Sequence, residues 1–329
     1  MAETLVSVVV PLYNKEATIA RTLASIIGQT YPRLEVIVVD DGSTDAGGEE
    51  VTKIRDRRIR LHRQENRGPG AARNFGTSVS TGSLITYLDA DDEWEPRFVE
   101  TAVKILDGEP RCAVFASDFW LGRNGPTQWG GLVEAPRREG LSRVSTDWTK
   151  DEMAWCLADF HACSTVYRKE VVMAHGGFFE MDQCTYGEDV YFWIKVRLNE
   201  TVYAHTVPLA YYHIEASELG IGARRSAVPL EPVFSNVESI RQCCPAELEG
   251  VFRTWLGIHA IRAAFLHLKD GRVDIARHLI ENFSEMRLWP TKYAHLLVRY
   301  RLPILWSLRD RCRSFITGDM SKVKAVAQG

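Results

Sequence analysis

The sequence predicts an α/β protein: a mixed, mainly parallel sheet flanked by helices, followed by a C-terminal helical extension. Three observations carry that expectation. Val6–Val10 and Leu34–Val39 are unbroken runs of strand formers, too short for helices and apolar in the way of strands covered on both faces. Between them, Asn14 to Gln29 places Ile19, Leu23, Ile26 and Ile27 on one helical face. From about Pro232 onward the pattern turns helical.

The first run ends at Pro11, and the helix and second strand follow within about forty residues, a βαβ unit of the usual right-handed kind. It lacks the Gly-x-Gly-x-x-Gly turn of dinucleotide folds, which weighs against a dehydrogenase. Ser83–Leu88 reads as a third buried strand, Phe98–Leu106 as a helix, and Cys112–Phe119 and Val202–Tyr212 as further strands. Residues 120–150 have weak periodicity, and loops of that length commonly serve binding. Trp129 is a candidate acceptor or lid contact there, with an ordinary surface insertion as the equal alternative. Trp155, His161 and Ser164 are expected on the acceptor side. Glu247–Lys269 and Val273–Phe283 are expected helices that pack on the preceding domain or meet a second copy, which divides the chain into domains 1–230 and 231–329.

Composition excludes several classes. The chain has 329 residues, 45% hydrophobic and 25% charged, with a net charge of −3, so no global basicity points to nucleic acid. Its seven cysteines are odd in number, two are adjacent (Cys243 and Cys244), and their spacing shows no zinc-like pairing, which fits reduced thiols. The N-terminus has no basic n-region, and Val6–Leu12 is too short to span a bilayer, so a cytoplasmic protein is expected. Residues 286–329 carry nine Lys or Arg against two Asp, interleaved with Trp289, Tyr293, Tyr300, Trp306 and Phe315. That mixture suits either peripheral contact with an anionic membrane, here the inner face of the plasma membrane, or a terminal helix pair covered by the protein. Pro303 argues against one continuous helix.

Chemistry is concentrated in three acidic punctuations. Leu88-Asp89-Ala90-Asp91-Asp92 crowds three carboxylates at a strand end, where α/β proteins place ligands. Such crowding is relieved by a hard divalent cation with oxygen ligands. Val39-Asp40-Asp41-Gly42-Ser43-Thr44-Asp45 closes the second strand, and Tyr186-Gly187-Glu188-Asp189 opens a helix whose first turn favours negative charge. Small residues in Arg67-Gly68-Pro69-Gly70-Ala71-Ala72-Arg73 let backbone approach a phosphate, with Arg73 as a positive fork.

These blocks, with Val8-Val9-Val10-Pro11-Leu12-Tyr13-Asn14 and Gly176-Gly177-Phe178, resemble in order and spacing the family 2 glycosyltransferases, over roughly residues 5 to 215. The resemblance implies a GT-A (Rossmann-like) fold and an inverting transfer of one sugar from a nucleotide diphosphate sugar, with UDP the commonest nucleotide. It implies donor contacts at Pro11, Tyr13, Glu16, Asp41, Arg73, Asp89 and Ala90. A Mn2+ or Mg2+ ion would be held by Asp91, with His213 as a further candidate ligand. Asp189 would be the catalytic base and Glu188 its neighbour orienting acceptor or loop. The implied acceptor is a hydroxyl of a glycan or lipid-linked oligosaccharide, in cell-surface polysaccharide synthesis. A sugar nucleotidyltransferase is the enzymatic rival, although its N-terminal Gly-rich loop is replaced by Pro11-Leu12-Tyr13-Asn14; a nucleotide-sugar-binding scaffold without catalysis is the other. A processive synthase fits less well, for want of a membrane span and a Gln-x-x-Arg-Trp motif.

Overall fold

Strand β1 (Val6–Leu12) sends Val6, Val8, Val10 and Leu12 into one apolar core and Val9 into another. The adjacent β2 (Leu34–Asp40) does the same, with Val36 and Val38 on one side and Ile37 and Val39 on the other. Both runs lack polar alternation because both sheet faces are covered. A computed structural model describes residues 4–127, 139–216 and 229–301, so Trp129 and the segment after Arg301 lie outside the described residues.

The first half of the chain alternates strand and helix. After β1 come α1 (Ile19–Ile27), β2, α2 (Gly47–Lys53), β3 (Ile59–Arg63), α3 (Pro69–Val79) and β4 (Leu84–Tyr87). The short β5 (Glu93–Trp94), α4 (Phe98–Gly108), β6 (Val114–Leu121) and β7 (Gly140–Ser142) follow. Then come α5 (Lys150–Ala154), β8 (Thr165–Arg168), α6 (Lys169–Ala174), α7 (Glu188–Asn199), β9 (Val202–Tyr212), α8 (Pro232–Ser235) and α9 (Val237–Cys243). Among the described residues the strands form one sheet in the order β3-β2-β1-β4-β8-β6-β9-β5, with β7 on β9. β1 is parallel to β2 and β4, β2 to β3 and β6 to β9, whereas β8 runs antiparallel to β4 and β6.

Register is what positions the site. Leu12 lies opposite Asp40, and Val9 opposite Tyr87, so the chain leaves β1, β2 and β4 along one sheet edge. Tyr13, Asp41 and Asp89 therefore emerge as neighbours, at the carboxyl ends of parallel strands. β1 runs through Pro11 rather than ending there. Leu88 N–H donates to Val9 O, so Pro11 turns its missing donor toward β4 at a point where that strand has already ended.

The first helix starts at Ile19, five residues later than the apolar period implies, because the residues before it are committed elsewhere. Asn14 takes a left-handed φ of 51°, and its Oδ1 accepts from Thr44 N–H at 2.8 Å. Glu16 N–H donates to Asp45 Oδ2 at 2.8 Å while Glu16 Oε2 accepts from Ala46 N–H at 2.9 Å. The exit of β1 is thus tied to the acidic loop after β2, and helix propagates only beyond that tie.

The chain divides into two compact units, Met1–Val251 and Phe252–Gly329. The first holds every described strand and the helices through α9. Helix α10 (Glu249–Lys269) supplies most of its length to the second, with α11 (Val273–Asn282) and α12 (Pro290–Arg301). There Phe252, Leu256, Ala260, Ala264, Leu279 and Met286 are buried, and Trp289 Nε1–H donates to Thr254 O at 2.8 Å. No helix among the described residues is long and apolar enough to cross a membrane.

Helix α3 lies against β1 through Gly76, where a Cβ would come within 2.3 Å of Val9 Cγ1. β-Branched Val9 has no flexible end to give way. Gly76→Ala is expected to destabilise the protein by ~1–3 kcal/mol, the usual cost of overpacking, read as a lower urea midpoint with an unchanged m-value.

Candidate active site

The loop after β4 carries Asp89, Asp91, Asp92 and Glu93, and α1 holds it by its backbone. Thr18 Oγ1 donates to Ala90 O at 2.8 Å, an Arg21 guanidinium N–H to Asp91 O at 2.7 Å, and Thr22 Oγ1 to Asp92 O at 2.8 Å. The carbonyls being occupied, the carboxylates are left to face other partners. Each meets a different one.

Asp89 accepts from Arg73 at 2.7 Å, and the other arm of the same guanidinium donates to Glu188 Oε1 at 2.9 Å. Arg73 is 4% exposed and lies over the Phe178 ring at 5.1 Å. Burial works against its charge, but Asp89 and Glu188 outweigh burial and raise its pKa. The family resemblance implies that Arg73 lies near the donor's base and ribose or phosphate. The structure commits both its terminal nitrogens to carboxylates, leaving Nε buried without a hydrogen-bond partner.

Asp91 is buried and draws Lys15 Nζ to 3.0 Å, and Lys15 also donates to Ala216 O at 2.9 Å. Burial and the Asp89 charge raise the Asp91 pKa against the pull of Lys15. Glu93 is buried too, paired with Arg21 Nε at 3.1 Å, His213 Nε2 at 2.8 Å and Arg123. His213 Nδ1 meets Glu215 at 2.7 Å, so both ring nitrogens of this candidate ligand already face carboxylates. A metal bond to His213 requires one of those pairs to open.

Two further acids come from α7, whose N-cap Gly187 adopts φ 76°. That left-handed turn is one a side chain resists, and a Cβ there would also crowd Glu231 at 3.0 Å. It sets Glu188 and Asp189 in the first turn. Asp189 is partly exposed at the surface of the site, yet the protein around it, and next the Glu188 charge, push its pKa up to about 7. Arg73 opposes that shift and Asp89 adds to it, so acids from the β4 loop and α7 act on one another.

Asp41 faces the loop before α3. Its Oδ1 accepts from Gln64 Nε2 at 2.7 Å and Arg67 N–H at 3.0 Å, and its Oδ2 accepts from Gly68 N–H at 2.8 Å. Burial still leaves its pKa raised. Tyr13 is 45% exposed at the exit of β1, and Pro11 is half-buried beside it in sequence. Glu16 serves the loop tie described above. His161 sits between the Phe119 and Tyr212 rings, each centroid 4.6 Å away, and burial pushes its pKa down to about 4. Ser164 is fully buried.

Sequence reasoning missed Lys15, Thr18, Arg21, Thr22, Gln64 and Glu93. Lys15 adjoins the Tyr13-Asn14 block and is the nearest to a signal; the others act through long-range pairs that spacing does not reveal.

Removing one member of a buried ion network leaves an uncompensated charge and costs ~3–5 kcal/mol. Arg73→Met is expected to lower stability by that order in denaturant titration. The loss should shrink when Glu188→Gln is added, because the more buried of the two stranded carboxylates is then gone.

The comparisons with known proteins bear on family and fold. Residues 7–176, about half of the chain, match the family described as glycosyl transferase family 2. Glycosyltransferase GlyG of Streptococcus pneumoniae is 32% identical over 297 residues, covering 86% of this chain and 93% of its own. Glycosyltransferase GlyA of the same organism is 46% identical over 102 residues, 30% of this chain and 14% of that longer protein. In structure, S. aureus TarS 1–349 in complex with UDP-GlcNAc superposes with a TM-score of 0.61 at 21% identity, covering 84% of this chain and 81% of that one. A structural likeness of this kind establishes fold, whereas the residue-level match over most of a relative's length establishes kinship: the chain belongs to the family 2 glycosyltransferases.

Proposed function

We propose that the enzyme is an inverting transferase that moves one sugar from a nucleotide diphosphate sugar, a UDP-sugar in the first instance, to an acceptor hydroxyl with Asp189 as base. The observation that carries this reading is the Arg73 bridge, which holds the donor-side acid Asp89 and the acceptor-side acid Glu188 on one guanidinium. Beside it, Asp189 is pushed up to about 7, where a carboxylate can take a proton at neutral pH.

The exposed ring of Tyr13 offers a flat surface to a base, and Asp41 stands at the next strand exit as acceptor for a ring N–H. The TarS complex with UDP-GlcNAc supports UDP as the first nucleotide to try. Asp91 fits a divalent cation: its oxygens are hard donors, burial disfavours their charge, and the protein already supplies Lys15 as a counter-cation. A Mn2+ or Mg2+ ion bound there would offset negative charge on the leaving diphosphate. Lys15 is placed to release Asp91 and face the phosphates instead. Asp189 takes the acceptor's hydroxyl proton at a carboxylate oxygen as the hydroxyl oxygen bonds to the anomeric carbon and displaces the diphosphate in line, which inverts the anomeric centre. Glu188, held by Arg73, fixes the turn. A glycan or lipid-linked oligosaccharide acceptor in cell-surface polysaccharide synthesis, and peripheral membrane contact through residues 286–329, are carried by the family resemblance and by composition.

Incubation with UDP-sugars, with and without EDTA, tests the reading. Metal-dependent UDP release is expected, and no turnover of any nucleotide sugar would overturn it. Asp189→Asn is expected to lose at least a hundredfold in transfer, the low end of general-base effects, while donor binding by calorimetry persists. Since the base form is the productive one, kcat/KM should rise with pH and level off above about 7. The stability sign is opposite. A carboxyl whose folded pKa lies above its unfolded value contributes stability at low pH and loses it as pH climbs through about 7. Asp189→Asn should therefore melt no lower than wild type at pH 8.

A further inference from the structure

Behind the donor site, three potential ligands of different chemistry converge. One carboxylate oxygen of Asp92, a ring nitrogen of His161 and Cys163 Sγ all lie within 4.8 Å of one another. Asp92 is fully buried, and its Oδ2 has no hydrogen-bond partner. A buried carboxylate oxygen left bare is costly unless something cationic meets it.

The three groups are also held from behind. His213 N–H donates to Asp92 Oδ1 at 2.9 Å, which orients the carboxylate. The His161 ring is wedged between Phe119 and Tyr212. Trp94 Nε1–H donates to Cys163 O at 2.6 Å, and His161 Nδ1 lies 3.0 Å from Cys163 Sγ. Ligands fixed by supporting hydrogen bonds and packing are the mark of a metal site.

We propose that Asp92, His161 and Cys163 bind a second metal ion, a borderline cation such as Zn2+, at a place separate from the donor cation on Asp91. An oxygen, nitrogen and sulfur set suits Zn2+ over Mg2+ or Mn2+, which prefer oxygen alone. Bonds of ~2.0–2.3 Å require ligand atoms to sit within about 4 Å of one another, so displacements of about 1 Å assemble the site, with a fourth position open to water. The bound ion would neutralise the bare Asp92 oxygen and clamp the acidic loop to the turn at Ala162–Ser164 that precedes β8. It would thereby stiffen the segment that carries Asp91 without contacting the donor.

Chelator-stripped full-length protein titrated with Co2+ tests this. Expected is a near-ultraviolet thiolate-to-cobalt charge-transfer band, displaced by Zn2+, retained in Asp91→Asn and lost in Cys163→Ser with unchanged circular dichroism. A wild-type protein that takes up Co2+ without the thiolate band overturns the proposal, and so does a band that survives Cys163→Ser. Those results would leave a metal-free hydrogen bond between Cys163 and His161. Should Cys163→Ser fail to fold, zinc-edge absorption on the wild-type protein decides: a shell with one sulfur and a nitrogen supports the site, and a shell without sulfur ends it. Because the readout is spectroscopic and Asp91 is tested apart, failure here is distinguishable from failure of the transferase reading.

Discussion

A single buried guanidinium governs how the two halves of the candidate site meet. Arg73 leaves α3 and takes Asp89 from the β4 loop with one arm and Glu188 from α7 with the other. These segments are far apart in sequence, and α7 also carries Asp189. A planar fork with five donors can serve two carboxylates in fixed directions, which a lysine ammonium cannot. Its desolvation is offset by two opposite charges and the Phe178 face, a balance that holds only while both acids are present.

The acidic loop shows how one short segment accommodates crowded negative charge. Asp89 leans on Arg73, Asp91 on Lys15, and Glu93 on Arg21, His213 and Arg123. Asp92 uses one oxygen for the His213 backbone and keeps the other bare. Distinct partners let four acids within five residues stand side by side. Asp189 lies outside this set, beside Glu188, and is correspondingly reluctant to ionise.

Much of the fold was legible because periodicity reports burial. The runs at Val6, Leu34 and Leu84 are covered on both faces, and the Val202–Tyr212 strand and the long helix from Glu249 appear as expected. The misreadings share a cause. Asn14 to Thr18 looks helical, yet Asn14 and Glu16 are drawn off by Thr44, Asp45 and Ala46, thirty residues away in the chain. Arg73 stands out in the sequence beside its small-residue run, but no spacing rule shows that Asp89 and Glu188 meet its arms. Cysteine spacing is silent for the same reason: Cys163 lies near His161 in sequence but near Asp92 only through the fold.

The grip of α1 on the acidic loop has an evolutionary and practical consequence. Thr18, Arg21 and Thr22 grasp only the carbonyls of residues 90–92, groups that every amino acid possesses. That part of the loop's hold is indifferent to the side chains at those positions, whereas Asp91 on Lys15 and Asp92 on the His213 backbone add holds that are not. A designer wishing to retune ion preference, or a lineage drifting toward a different donor, starts from a loop whose path is held in part by contacts that no side-chain exchange removes.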